Sequence, residues 1–109
     1  MKYIAVAKTS ELSPGEKIKI DLEGREILIV NVGGSYHAFD NKCPHMGASL
    51  HDGYIEGNNI VCPRHGSRFN VQTGEVAQRG KMLFINVNPK GLHIYPVKIE
   101  DMDILIGIE

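Results

Sequence analysis

Hydrophobic and polar positions alternate strictly over residues 16–22, where Ile18, Ile20 and Leu22 fall on one side and charged residues on the other. This is the period of two expected of a half-buried strand. A turn at Glu23-Gly24 leads to residues 26–32, whose core Ile27-Leu28-Ile29-Val30 is short, continuously apolar and mostly β-branched, which favours a buried strand over a helix. Gly33-Gly34 is a hairpin signal into Ser35–Phe39. Asn59–Cys62 reads as a short strand between Gly57-Asn58 and Pro63, and Lys81–Val87 as an apolar strand ending at Asn88-Pro89. Tyr95, Val97 and Ile99 alternate, as do Ile104, Ile106 and Ile108, with a turn at Asp101-Met102. No long stretch carries a helical stripe. Short strands at regular spacing, punctuated by glycine and proline, predict an all-β sandwich or barrel.

Residues 40–74 depart from this pattern. They are poor in long apolar runs, yet hold both cysteines, three of the five histidines and five of the twelve glycines. A loop-rich stretch of this length in a compact domain needs something else to organise it, and a bound inorganic centre would do so. The 109 residues suit one domain. With 42% hydrophobic and 23% charged residues, the composition is globular. A net charge of −1 provides no electrostatic footprint for nucleic acid or an anionic membrane. No signal-peptide pattern opens the sequence and no run is long enough to span a bilayer, so a cytoplasmic protein is expected. There, two cysteines point to metal binding or catalysis rather than a disulfide scaffold.

Two short segments within this stretch look alike: Cys43-Pro44-His45-Met46-Gly47 and Cys62-Pro63-Arg64-His65-Gly66. Each supplies one thiolate, one imidazole and a glycine. Proline fixes φ and glycine permits positive φ, so such loops can turn backbone N–H groups toward an anionic object. A disulfide or a pair of inert thiols would leave the matching histidines unexplained. A tetrahedral zinc site needs the same residue types, but zinc pairs are usually Cys-x2–4-Cys and His-x3–5-His, whereas each pair here is mixed. A Cys–His catalytic pair would need one cysteine and would not account for the duplication. The remaining reading is a [2Fe-2S] centre in which two histidines replace two cysteines on one iron.

At these residues the sequence resembles the Rieske proteins, and among them the small soluble Rieske-type ferredoxins. Cys-x-His, sixteen residues, then Cys-x-x-His matches residues 43–65. Ala38–Lys42, Gly47–Leu50, Asp52–Gly57, Gly66–Asn70, Thr73–Glu75 and Tyr95–Val97 are similar to the family's flanking segments. The resemblance implies a Rieske-type all-β fold over residues 1–109, with antiparallel sheets and a cluster-binding subdomain at about 40–74. It implies one [2Fe-2S] cluster, with Cys43 and Cys62 on one iron and His45 and His65 on the other. Met46, Gly47, Arg64, Gly66 and Ser67 would surround it. His37, His51 and His93 are expected to be surface or hydrogen-bonded residues.

That ligand set has consequences for the potential. Two thiolates cancel the formal charge of the oxidised core, so adding an electron is easier than at a four-thiolate site, and the Rieske range runs from roughly −150 to +300 mV. High-potential members join the two loops by a disulfide, at positions corresponding to Ala48 and Arg64, neither of which is Cys here. Those members also carry two hydroxyls near the sulfurs; Ser67 keeps one, and Phe69 lacks the other. A potential in the lower half of the range follows. The family's proline-rich cover after the second loop is missing, since Val76–Tyr95 contains only Pro89.

No second cofactor motif is present, so the expected role is a monomeric one-electron carrier and not an enzyme. The resemblance implies a flavin reductase as donor and an oxygenase or similar enzyme as acceptor. Two alternatives remain open: a small Rieske-type subunit of a nitrite reductase complex, and a zinc-stabilised interaction module.

Overall fold

The computed structural model describes residues 1–44, 47–64, 66–78 and 91–109. Lys81–Val87, expected to be a strand, lies outside these residues. Eleven strands are described: β1 (Lys2–Lys8), β2 (Lys17–Leu22), β3 (Arg25–Val32), β4 (Ser35–Asp40), β5 (Tyr54–Glu56), β6 (Asn59–Val61), β7 (Arg68–Asn70), β8 (Val76–Gln78), β9 (Ile94–Tyr95), β10 (Val97–Glu100) and β11 (Asp103–Ile108). They form three antiparallel sheets, ordered β1-β11-β10, β2-β3-β4-β9 and β5-β6-β7-β8.

Strand β3 explains how the sheets stack. Its residues alternate between two separate cores. Ile27 and Ile29 pack with Leu12, Ala38, Tyr95 and the inward residues Ile104, Ile106 and Ile108 of β11. Leu28 and Val30 pack with Phe39, Leu50, Ile60, Phe69 and both cysteines. The central sheet is therefore covered on both faces, which is why Ile27–Val30 is uniformly apolar while β2, at the edge, alternates with Lys17, Lys19 and Asp21. The Glu23-Gly24 turn that joins them places both residues at positive φ, 49° and 80°, as a two-residue hairpin requires.

The alternating residues Tyr95, Val97 and Ile99 do not form one strand. Pro96 lacks a donor and breaks the ladder, so β9 pairs with β4 and β10 with β11. The chain crosses between two sheets at this point. Tyr95 secures the crossing: its hydroxyl donates to Asp40 Oδ1 at 2.5 Å, and the His93 ring stacks edge-on at 4.7 Å. Burial, followed by the bond to Asp40, pushes the Tyr95 hydroxyl up to about 12, so it remains a donor at neutral pH.

Asn41 ties the central sheet to the segment that carries the first candidate loop. Its side chain is fully buried. Nδ2 donates to Glu26 Oε1 at 3.2 Å and to Ser49 Oγ at 2.9 Å, while Oδ1 accepts the His51 N–H at 2.9 Å. Its backbone N–H donates to Glu26 O, and its carbonyl accepts from Leu50 N–H. Asn41→Ala removes three side-chain bonds and leaves the half-buried His51 N–H without its acceptor. It is expected to destabilise the protein by about 2–3 kcal/mol, read as a lower midpoint in denaturant with an unchanged slope.

Candidate metal centre

Cys43 and Cys62 sit in loops built by the same rule. In the first, Cys43 N–H donates to Ala48 O at 2.8 Å and Gly47 N–H returns to Cys43 O at 3.0 Å. In the second, Cys62 N–H donates to Ser67 O at 2.8 Å and Gly66 N–H returns to Cys62 O at 3.2 Å. Each loop closes through a glycine at positive φ, 67° for Gly47 and 75° for Gly66. A Cβ on either would meet nothing within 4 Å, so conformation and not space demands glycine there. Pro44 and Pro63 follow the cysteines and fix the direction in which each loop leaves its strand.

A third loop repeats the scheme without a cysteine. Asn70 N–H donates to Glu75 O and Gly74 N–H to Asn70 O, both at 2.8 Å, with Gly74 at φ 79°. Here the first residue's side chain shows what the loop does: Asn70 Oδ1 accepts the N–H groups of Gln72 and Thr73 at 2.9 and 3.0 Å. This loop presents successive backbone donors to an acceptor atom on its first residue. In the other two loops that first residue is a cysteine.

Both cysteines are buried, stand outside any disulfide and belong to the same core, with Ala48, Leu50, Val71 and Leu92 around them. The loops thus bring the two thiols to one region between the central and third sheets. Ser67 is 1% exposed, yet among the described residues neither its hydroxyl nor its backbone N–H has a hydrogen-bond partner. The Ala48 N–H, at the equivalent place in the first loop, likewise has none among those residues. Buried donors without acceptors are rare in folded proteins. Two buried thiols with such donors at equivalent loop positions form a set that fits a compact anionic, sulfur-rich group.

His45, Met46 and His65 lie outside the described residues. Gly47 and Gly66 close the loops, and Ser67 is buried. Arg64 is exposed, so its charge faces solvent. Phe69, at the position without a hydroxyl, is wholly buried in the shared core. His37, His51 and His93 belong to no group of three or more metal-binding side chains among the described residues. Burial lowers the pKa of His37, so this imidazole is held toward its neutral form.

Two features were not anticipated from the sequence, the Asn41 network and an ion pair beside the second loop. Arg68 Nε donates to Glu56 Oε1 at 2.9 Å, and its Nη2 reaches Oε2 at 3.5 Å. Arg68 Nη1 also donates to Gly66 O at 3.3 Å. The bond to Arg68 holds the Glu56 carboxyl below the usual carboxylate range. A sequence signal existed: Phe69 faces inward, so the period of two places Arg68 outward in register with Val61 and Tyr54.

Among the described residues no helix is long and apolar enough to cross a membrane. A family model for the Rieske [2Fe-2S] domain matches residues 2–89. The ferredoxin component of the naphthalene 1,2-dioxygenase system of Pseudomonas putida is 36% identical over 108 residues, covering 99% of this chain and 97% of that protein. Among solved structures, the ferredoxin of carbazole 1,9a-dioxygenase from Nocardioides aromaticivorans superposes with a TM-score of 0.84 at 30% identity, covering 100% of each chain. A structure described as the complex of reduced oxygenase and oxidized ferredoxin in carbazole 1,9a-dioxygenase gives 0.82 at 27% identity, covering 95% of this chain and 91% of that one. With paired cysteine loops on an all-β frame and a family match across residues 2–89, the chain belongs to the Rieske [2Fe-2S] domain family.

Proposed function

We propose that this protein is a one-electron carrier whose [2Fe-2S] cluster is held by Cys43 and Cys62 on one iron and by His45 and His65 on the other. The observation that carries this reading is the pair of equivalent loops that bury Cys43 and Cys62 in one core. When bound, the cluster takes up and releases one electron without a change of substrate. The chain's residues supply the rest. The two thiolates neutralise the oxidised core, and the loop glycines let backbone donors face it. The Ser67 hydroxyl, buried without a protein partner among the described residues, donates to a sulfur and favours the state with more negative charge there. The whole chain acts as one domain, with cluster binding confined to about residues 40–74.

The relatives' names support a place in an oxygenase system, with a terminal oxygenase as acceptor; the flavin reductase as donor rests on the family resemblance of the sequence. Substrate chemistry then belongs to the acceptor, and this chain is not itself an enzyme. A cytoplasmic location, where thiols stay reduced, suits two cysteines outside a disulfide.

The test is iron and acid-labile sulfide content together with visible and paramagnetic-resonance spectra before and after reduction. About two iron and two sulfide per chain, with a signal appearing on one-electron reduction, are expected. A colourless protein containing zinc would end this reading. Ser67→Ala is expected to keep the cluster but lower its midpoint by on the order of 60 mV, one factor of ten for a one-electron couple. An unchanged midpoint would remove Ser67 from the account.

A further inference from the structure

Arg68 stands on the outer face of the third sheet, in register with Val61 and Tyr54, immediately after the second cysteine loop. Among the described residues its guanidinium contacts both a carboxylate and a backbone carbonyl. Two nitrogens fork onto the Glu56 carboxylate across the sheet, while Nη1 donates to the carbonyl of Gly66. Glu56 thereby fixes the plane of the guanidinium, and the guanidinium fixes the direction of the Gly66 carbonyl. The Arg68 side chain is 23% exposed and Glu56 53% exposed, so the pair lies at the surface with the arginine better covered.

The carbonyl of Gly66 shares its peptide unit with the N–H of Ser67. In a trans peptide these two groups point in opposite directions. No cis bond occurs among the described residues. A carbonyl drawn outward to Arg68 therefore turns the Ser67 N–H inward. The Ser67 N–H has no acceptor among the described residues, and the Ser67 side chain, just before the strand, is buried.

We propose that Arg68, locked by Glu56, is a positioning residue for the electron-transfer centre: by holding the Gly66 carbonyl outward it keeps the Ser67 N–H directed at the cluster sulfur and so sets the reduction potential. This rests on the electron-carrier reading above. Arg68 touches neither metal nor sulfur in this account; it acts through the peptide it orients. The ammonium of a lysine is a point charge without the planar fork, and it cannot bridge Glu56 and Gly66 in the same geometry.

Two physical effects of Arg68 are separable by experiment. If it acted only as a positive charge near the centre, Arg68→Gln would lower the midpoint, Arg68→Lys would leave it unchanged, and Glu56→Gln would raise it by removing a negative charge. If it acts by orienting the peptide, all three substitutions release the carbonyl and lower the midpoint. The test is a potentiometric titration of wild type, R68Q, R68K and E56Q, each loaded with cluster and followed by its visible spectrum. Thermal unfolding of each variant reports folding independently. The expected shift for R68Q is about tenfold in the equilibrium for reduction, 59 mV for one electron. R68K and E56Q are expected to move the same way, by at least threefold. Glu56 is exposed, so E56Q folds and loads even if an Arg68 variant does not. An E56Q midpoint at or above wild type overturns the proposal. Failure of the wild-type chain to take up iron and sulfide would instead overturn the electron-carrier reading itself.

Discussion

Cys62→Ala is expected to yield a protein without the visible absorption of the wild type and with its iron content reduced at least tenfold. The same result is expected for Cys43→Ala. The two residues occupy equivalent positions in loops with the same hydrogen bonds, so neither can substitute for the other. An alanine keeps most of the apolar volume of a buried thiol, so the packing loss in the shared core is small, about 1 kcal/mol. What disappears is the thiolate, and with it the neutralisation of the oxidised core. Because cluster binding and folding of the loops are linked, the variant should also unfold at a lower temperature than the loaded wild type, by more than the packing loss explains. Iron and sulfide analysis with a visible spectrum checks the first outcome, and calorimetry the second. Retention of two irons by Cys62→Ala would exclude Cys62 as a ligand.

Gly53→Ala is expected to be severely damaging, costing about 4 kcal/mol or more. A Cβ there would overlap the carbonyl oxygen of Val61 and lie 3.2 Å from that of Leu50. Both neighbours are backbone and cannot rotate away. Gly53 also donates its N–H to Leu50 O at 2.9 Å, so it cannot retreat without losing a bond. Val61 directly precedes Cys62, and displacing its carbonyl moves the start of the second loop. The variant should therefore lose both stability and cluster occupancy. Gly66→Ala provides the contrast. Nothing lies near its Cβ, so only the positive φ is penalised, at about 1 kcal/mol. A denaturant titration of the two variants should separate them clearly; equal midpoints would show that the close approach at Gly53 is relieved by a small backbone shift.

Much of the frame was legible in the pattern of residues. Strict alternation marked β2 and β11, the continuous apolar run marked β3, and Glu23-Gly24, Gly33-Gly34 and Asp101-Met102 marked turns. Strands β5, β7 and β8, three residues each, were not recognised, because three residues display no period, and β6, of the same length, was marked only by its flanking Gly57-Asn58 and Pro63. Strand β1 was not anticipated from the sequence either. Tyr95–Ile99 was the opposite case: the alternation is genuine, but Pro96 divides it between two sheets. The site followed the same division. Cysteine, proline, histidine and glycine recur in order along the chain, so the two loops announce themselves locally. Asn41, Glu56 and Arg68 are ordinary polar residues in sequence, and their partners lie 8 to 15 positions away.

Local chemistry thus specified several of the strands, the paired loops and the residue types fit to hold iron and sulfide, because period, turn residues and ligand spacing are all short-range properties of a chain. Tertiary structure alone decided that β3 faces two cores, that Cys43 and Cys62 share one of them, and that Arg68 grips the carbonyl beside the second loop. Those facts depend on which sheet covers which face. That choice is made by burial summed over many distant residues, and no single segment encodes it.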